Sequence, residues 1–312
     1  MKVGISTCLL GQKVRFDGGH KRDRYITDIL GDFFRFIPVC PELEIGMGVP
    51  REAVRLEGTA DLPRMVGTRS GKDWTLRMNR YTERRVRRRD LSDICGYILK
   101  KDSPSCGMER VRIYDSSGVP QRNAVGLFAA GLIKEHPLLP VEEEGRLNDL
   151  KLRENFIVRV FGYSRLRDLF KGRFTIGKLV KFHTAHKYLL LAHSPRHYKK
   201  LGQLVAAAKR YSEENLRLNY STLFMEALKL KSTTSKNVNV LHHILGFLKE
   251  HLGPGEKKSI LESIEDYGKN LVPLVVPLTL LRHYVTLYNV EYIQEQVYLN
   301  PHPKELMLRS HV

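Results

Sequence analysis

The segment Lys2-Val3-Gly4-Ile5-Ser6-Thr7-Cys8-Leu9-Leu10-Gly11 decides the first half of the chain. It is a short apolar run that stops at a small polar turn and a glycine, the pattern of a buried strand. Similar runs follow at Phe34–Val39, Trp74–Met78, Ile94–Leu99 and Val111–Tyr114. Between them, Asp23–Phe33 and Tyr81–Asp93 read as helices, and Leu127–Leu132 reads as one more. Alternating strands and helices predict an α/β layer fold, Rossmann-like, with a mainly parallel sheet.

The pattern changes at residue 136. Beyond it the periodicity is helical nearly throughout, with helices expected at Glu144–Phe170, Thr175–His193, Pro195–Asn219, Thr222–Lys231, Asn237–Leu252, Gly255–Lys269, Pro273–Asn289 and Glu291–Leu299. Thr175 reads as an N-cap, Ser194-Pro195 as a stop, and the last ten or so residues as loose. The organisation expected is therefore an α/β domain over 1–135 and an all-α domain over 136–312. A length of 312 residues suits two domains, since one domain usually runs about 100–200.

The composition is that of a folded globular chain, 42% hydrophobic and 28% charged. The longest apolar run, Leu271–Leu281, is broken by Pro273 and Pro277 and is too short for a membrane span, so no membrane partner is expected. The start has no secretory pattern. Four cysteines are too few for a disulfide scaffold, so a cytoplasmic protein with no disulfide-linked partner is expected. Oligomeric state is left open.

Charge is the strongest global signal. Lys and Arg number 52 against 34 Asp and Glu, a net charge of +18. Residues 1–135 carry 25 basic and 17 acidic side chains; residues 136–312 carry 27 and 17. Both halves are basic, which points to a polyanionic partner such as a nucleic acid.

Cys8, Cys40 and Cys106 each follow a strand-like run, whereas Cys95 begins one. In a parallel sheet the segments past the strand C-termini share one edge, and α/β sites lie there. Three thiols then converge, and Cys95 stays at the opposite edge as a small buried residue. No paired C-x-x-C knuckle suggests zinc. Three cysteines without a fourth fit an iron–sulfur cluster with one open iron; the alternative is three unrelated core cysteines. Glu42 and Glu44 are two apart, so an extended segment points both to one face, where a carboxylate can activate water.

Three blocks surround these cysteines: Ser6-Thr7-Cys8-Leu9-Leu10-Gly11, Cys40-Pro41-Glu42-Leu43-Glu44-Ile45-Gly46-Met47-Gly48-Val49-Pro50-Arg51, and Lys100-Lys101-Asp102-Ser103-Pro104-Ser105-Cys106-Gly107. Together they resemble the thiouracil desulfurase family over roughly residues 1–135. The second half, through His136–Leu147 and Phe182–Ser194, resembles the YbgA-type helical domain. The two-domain arrangement resembles bacterial desulfidases that remove sulfur from 4-thiouridine in tRNA. The resemblance implies a 4Fe–4S cluster held by Cys8, Cys40 and Cys106, with one iron not ligated by cysteine and taking the substrate sulfur. It implies Glu44 as the acid/base, with Glu42 as its alternative, and Ser103 as a catalytic hydroxyl. It implies tRNA as partner. The competing readings are a desulfidase of free thio-bases and a non-catalytic iron–sulfur RNA sensor.

Arg84–Arg89 holds five arginines and suggests a phosphate-contacting ridge. His183, His186, His193 and His197 have helical spacing but no metalloenzyme motif. Glu142-Glu143-Glu144 reads as an acidic first turn of a helix. Tyr188, Tyr198, Tyr211 and Tyr220 read mainly as packing residues.

Overall fold

The computed structural model describes residues 1–311, which form two compact units, Met1–Asp149 and Leu150 onward. The first unit extends past the expected boundary at residue 135. Its strands are β1 (Lys2–Ser6), β2 (Arg35–Val39), β3 (Val54–Gly58), β4 (Pro63–Gly67), β5 (Tyr97–Leu99), β6 (Val111–Tyr114), β7 (Pro120–Ala124) and β8 (Val141–Glu143). Its helices are α1 (Pro41–Glu44), α2 (Thr75–Arg85), α3 (Arg89–Ser92) and α4 (Leu127–Glu135).

One sheet has the order β2-β1-β5-β8 and is parallel throughout, as the sequence predicts. Ser6 pairs with Val39, and Ile5 with Ile98, so the C-terminal ends of β1, β2 and β5 lie side by side. Val3, Ile5, Ile98 and Leu99 are buried in the core. Gly4 is required there: a Cβ would stand 2.2 Å from the ring of Tyr97.

The second sheet, β4-β3-β6-β7, mixes antiparallel pairs with the parallel pair β3–β6. Only β6 of its strands is expected from sequence. β7 is Pro-Gln-Arg-Asn-Ala, exposed over four of its five residues, so no apolar alternation marks it. Trp74–Met78, expected as a strand, instead opens α2, where Asp73 Oδ1 accepts from the Thr75 amide at 2.8 Å. Tyr81–Asp93 breaks into α2 and α3 because Arg88 is extended. Asp23–Phe33 is a π-helical turn, Tyr25–Ile29, followed by a 3-10 turn, Leu30–Asp32.

The acidic run is not a helix start. Val141–Glu143 pairs in parallel with β5, and Glu142 and Glu143 are buried. Arg146 Nε donates to Glu142 at 2.6 Å, and the Met108 amide donates to Glu143 at 2.8 Å. Buried carboxylates that find such partners sit in a strand at tolerable cost.

The second unit contains α5 (Leu150–Leu169), α6 (Ile176–His193), α7 (Pro195–Ala206), α8 (Glu213–Lys229), α9 (Thr234–Leu248), α10 (Pro254–Gly268), α11 (Val275–Leu287) and α12 (Glu291–Gln294). Thr175, Ser194, Ser212 and Thr233 cap α6 to α9, each accepting from the backbone three residues on. The Ser212 cap divides the expected Pro195–Asn219 helix and starts α8, which absorbs Thr222–Lys229. The tail is anchored rather than loose: Arg309 Nε donates to Glu154 at 3.1 Å, and Leu306 and Leu308 are buried. Val312 lies outside the described residues.

The four histidines take structural partners. Nδ1 of His186 and of His193 meets the carbonyls of Phe182 and Leu230, at 2.7 and 2.6 Å. His183 meets the Tyr220 hydroxyl and His197 the Ser194 hydroxyl. Tyr188 and Tyr220 are core residues, while Tyr211 is exposed. Burial lowers His183, His193 and His302 to about 4, and His186 to about 3. These imidazoles stay neutral in the fold but protonate near 6.5 when unfolded. Stability is therefore full above about pH 6.5 and falls as pH drops toward 4, by roughly 1.4 kcal/mol per pH unit per histidine within that window. The urea midpoint of helical unfolding is expected to fall clearly from pH 7 to pH 5; an unchanged midpoint contradicts this.

Candidate active site

Cys8 begins just past β1, in a 3-10 turn (Thr7–Leu10) closed by Gly11 at φ 88°. The carbonyl of Cys8 accepts from the amides of Gly11 and Lys21. Cys40 follows β2 and precedes α1. Cys106 lies in the loop that leaves β5. The three thiols thus come from adjacent parallel strands and line one cavity of about 490 Å³. Cys95 is buried before β5, its amide bonded to the Lys2 carbonyl, and does not line the cavity. This is the juxtaposition expected from sequence.

The Cys106 loop is fixed by the start of α4. The amides of Leu127, Phe128 and Ala129 donate to the carbonyls of Pro104 and Ser105 at 3.0–3.1 Å, satisfying N–H groups that a helix start leaves free. Gly126 permits this approach, since a Cβ there would lie 2.5 Å from the Ser105 carbonyl carbon. Within the loop, Ser103 Oγ accepts from the amides of Ser105 and Cys106 at 3.3 and 3.2 Å.

The two glutamates separate. The segment is a helical turn, not extended, and residues two apart on a helix do not face each other. Glu42 lines the cavity; Glu44 does not. The Glu42 side chain is 14% exposed. Its Oε1 accepts from Ser105 Oγ at 2.8 Å, and its Oε2 from Arg51 Nε at 3.1 Å. Arg51 also donates to the carbonyls of Val14 and Gly48. Ser103 and Ser105 hydroxyls are 3.0 Å apart. Since the Ser105 proton goes to Glu42, Ser103 donates to Ser105. A continuous chain Ser103–Ser105–Glu42 thus runs beside Cys106. Glu44 instead accepts from the Cys40 amide at 3.3 Å and pairs with Arg85 Nε at 3.2 Å.

Sequence reasoning missed Ser105 and Arg51, although both stand inside the quoted blocks. The arginine run is also not one ridge: Arg85 is buried against Glu44 and Asp90, and Arg87 is held by Glu135 through two hydrogen bonds.

Burial raises all three cavity thiols, Cys8 to about 11. They are neutral thiols unless a bound cationic group removes their protons. Among the described residues, no three His, Cys, Asp or Glu side chains close round a single metal ion. The rim is basic. Arg15, Lys21, Arg55, Lys101 and Arg112 line it, and of these Lys21, Lys101 and Arg112 form no ion pair among the described residues.

Comparison with known proteins adds four matches. The family model for 2-thiouracil desulfurase matches residues 3–144, and the model for a protein of unknown function, DUF1722, matches residues 187–303. The uncharacterized protein YbgA of Escherichia coli (strain K12) is 28% identical over 166 residues, covering 52% of this chain and 97% of YbgA. The solved structure of the 4Fe-4S-dependent thiouracil desulfidase TudS is similar at 31% identity, covering 50% of this chain and 99% of that one, with a TM-score of 0.40. Over residues 3–144 the chain belongs to the 2-thiouracil desulfurase family, and its helical half carries the DUF1722 domain.

Proposed function

We propose that this chain is an iron–sulfur-dependent desulfidase that hydrolyses the C=S group of a thiolated uracil base, and that it takes this base within tRNA as 4-thiouridine. The reading rests on three thiols from adjacent strand ends sharing one cavity with the Ser103–Ser105–Glu42 chain. The donor set fits a cluster: the thiols are soft and share a cavity, yet form no single-ion site. Cys8, Cys40 and Cys106 would hold a 4Fe–4S cluster and leave one iron without a cysteine, the kind of group on which TudS depends by name. When bound, that group supplies a Lewis-acidic position for the substrate's sulfur.

The protein's own groups do the rest. The three thiols give up protons on loading, so loading is favoured at higher pH. Glu42 takes a proton from the water that attacks the thiocarbonyl carbon, while Arg51 offsets its charge. Ser103 and Ser105 orient that carboxylate. The C–S bond breaks, oxygen stays on the base, and sulfur leaves as hydrogen sulfide. Thiocarbonyl plus water thus becomes carbonyl plus hydrogen sulfide, with no net redox change. The other expected base, Glu44, positions Cys40 through its amide.

The tRNA assignment is supported by the basic rim and the +18 net charge. A free thio-base is the second reading, favoured by the printed name of TudS. No helix among the described residues is long and apolar enough to cross a membrane. The place of action proposed is the cytoplasm, whose reducing conditions suit four free cysteines.

Nucleoside mass spectrometry after anaerobic incubation separates the substrates. Conversion of thiouridine in tRNA is expected to fall by at least about tenfold between ~50 and ~200 mM salt, as phosphate contacts weaken. Free thiouracil turnover is expected to be slower and nearly salt-independent. Conversion of free thiouracil with none of tRNA thiouridine supports the second reading.

A further inference from the structure

The helical unit has its own cavity, of about 330 Å³, which the desulfidase reading does not use. Ser232, Thr233 and Thr234 line it, at the start of α9. Thr233 Oγ1 accepts from the Lys236 amide, which leaves the Thr234 and Ser235 amides without intrahelical partners. Lys151 and Lys231 stand on the rim, exposed and without an ion pair among the described residues.

Two buried side chains also line this cavity. Arg309, with its side chain 10% exposed, is held at two nitrogens: Nε donates to Glu154 at 3.1 Å and Nη1 to the Tyr298 carbonyl at 2.7 Å. Its third nitrogen, Nη2, has no partner among the described residues. His193 is 4% exposed, and its Nδ1 engages the Leu230 carbonyl. Among the described residues Glu154 is the one carboxylate of the lining, and Arg309 already holds it. Three cations therefore surround a polar recess, with helix N–H groups at its edge.

From this we infer that the cavity is a phosphate-binding site, taking the phosphoryl group of a nucleotide or of an RNA backbone. A fixed guanidinium, two exposed ammonium groups and a helix start are the donors that phosphate recognition uses. The inference stands whether or not the first cavity desulfurates anything.

The test is calorimetric titration of the full chain with inorganic phosphate, uridine 5′-monophosphate and unmodified tRNA. The variant is Lys151→Glu with Lys231→Glu, both exposed side chains whose replacement leaves the core untouched. The control is Lys199→Glu with Lys200→Glu, exposed on α7 and outside the cavity. The cavity variant is expected to weaken inorganic phosphate binding by about tenfold or more, and the control to leave it near wild type. Weakening of the mononucleotide alone makes a free nucleotide the source; weakening of tRNA alone makes it the RNA backbone. Equal affinities in wild type and cavity variant, or equal losses in variant and control, overturn the inference.

Discussion

Cys8→Ala, Cys40→Ala and Cys106→Ala are each expected to drop bound iron from about four per chain to near zero and to take desulfidation to background. The three thiols are the full cysteine set of the cavity, so removal of one leaves no neighbour to replace it. Cys95→Ala is the control. It is buried at the other end of β5, where losing a sulfur creates only a small void costing about 1 kcal/mol. Iron content and turnover near wild type are expected for it. Iron and acid-labile sulfide assays on anaerobically reconstituted protein check both. Full iron in Cys40→Ala, or loss confined to Cys95→Ala, removes the ligand assignment.

Glu42→Gln and Ser103→Ala are expected to lower turnover by roughly 10²-fold or more while iron content stays near wild type, the usual scale for a positioned acid or base and its support. Gln keeps the length of Glu and still accepts from Ser105, but it cannot take the water proton. Arg51 retains the carbonyls of Val14 and Gly48 in that variant, so it is not left unpartnered. Glu44→Gln is expected to cost far less, because its carboxylate faces Arg85 outside the cavity. A larger loss in Glu44→Gln than in Glu42→Gln would falsify the choice between them.

How much was legible in the sequence follows from what each feature depends on. The parallel sheet and the shared edge of Cys8, Cys40 and Cys106 were legible because apolar runs ending in small residues mark strand C-termini. The choice between Glu42 and Glu44 was not. It depends on whether Pro41–Glu44 is extended or a helical turn, and four residues carry no periodicity. β7 was hidden because its exposed face carries polar side chains. β8 was misread because buried acidic residues imitate a helix start until Arg146 and the Met108 amide are seen to bind them. Arg85 looked like part of a surface ridge, yet it is an interior partner of two carboxylates.

The most direct test of the account is desulfidation in 18O-labelled water without reductant, under anaerobic conditions, with the oxygen of the product base and the released sulfide both quantified. Hydrolysis at this site predicts one labelled oxygen in each uracil ring and one sulfide released for each base converted. Turnover that needs an added reductant, or product whose new oxygen is unlabelled, contradicts it.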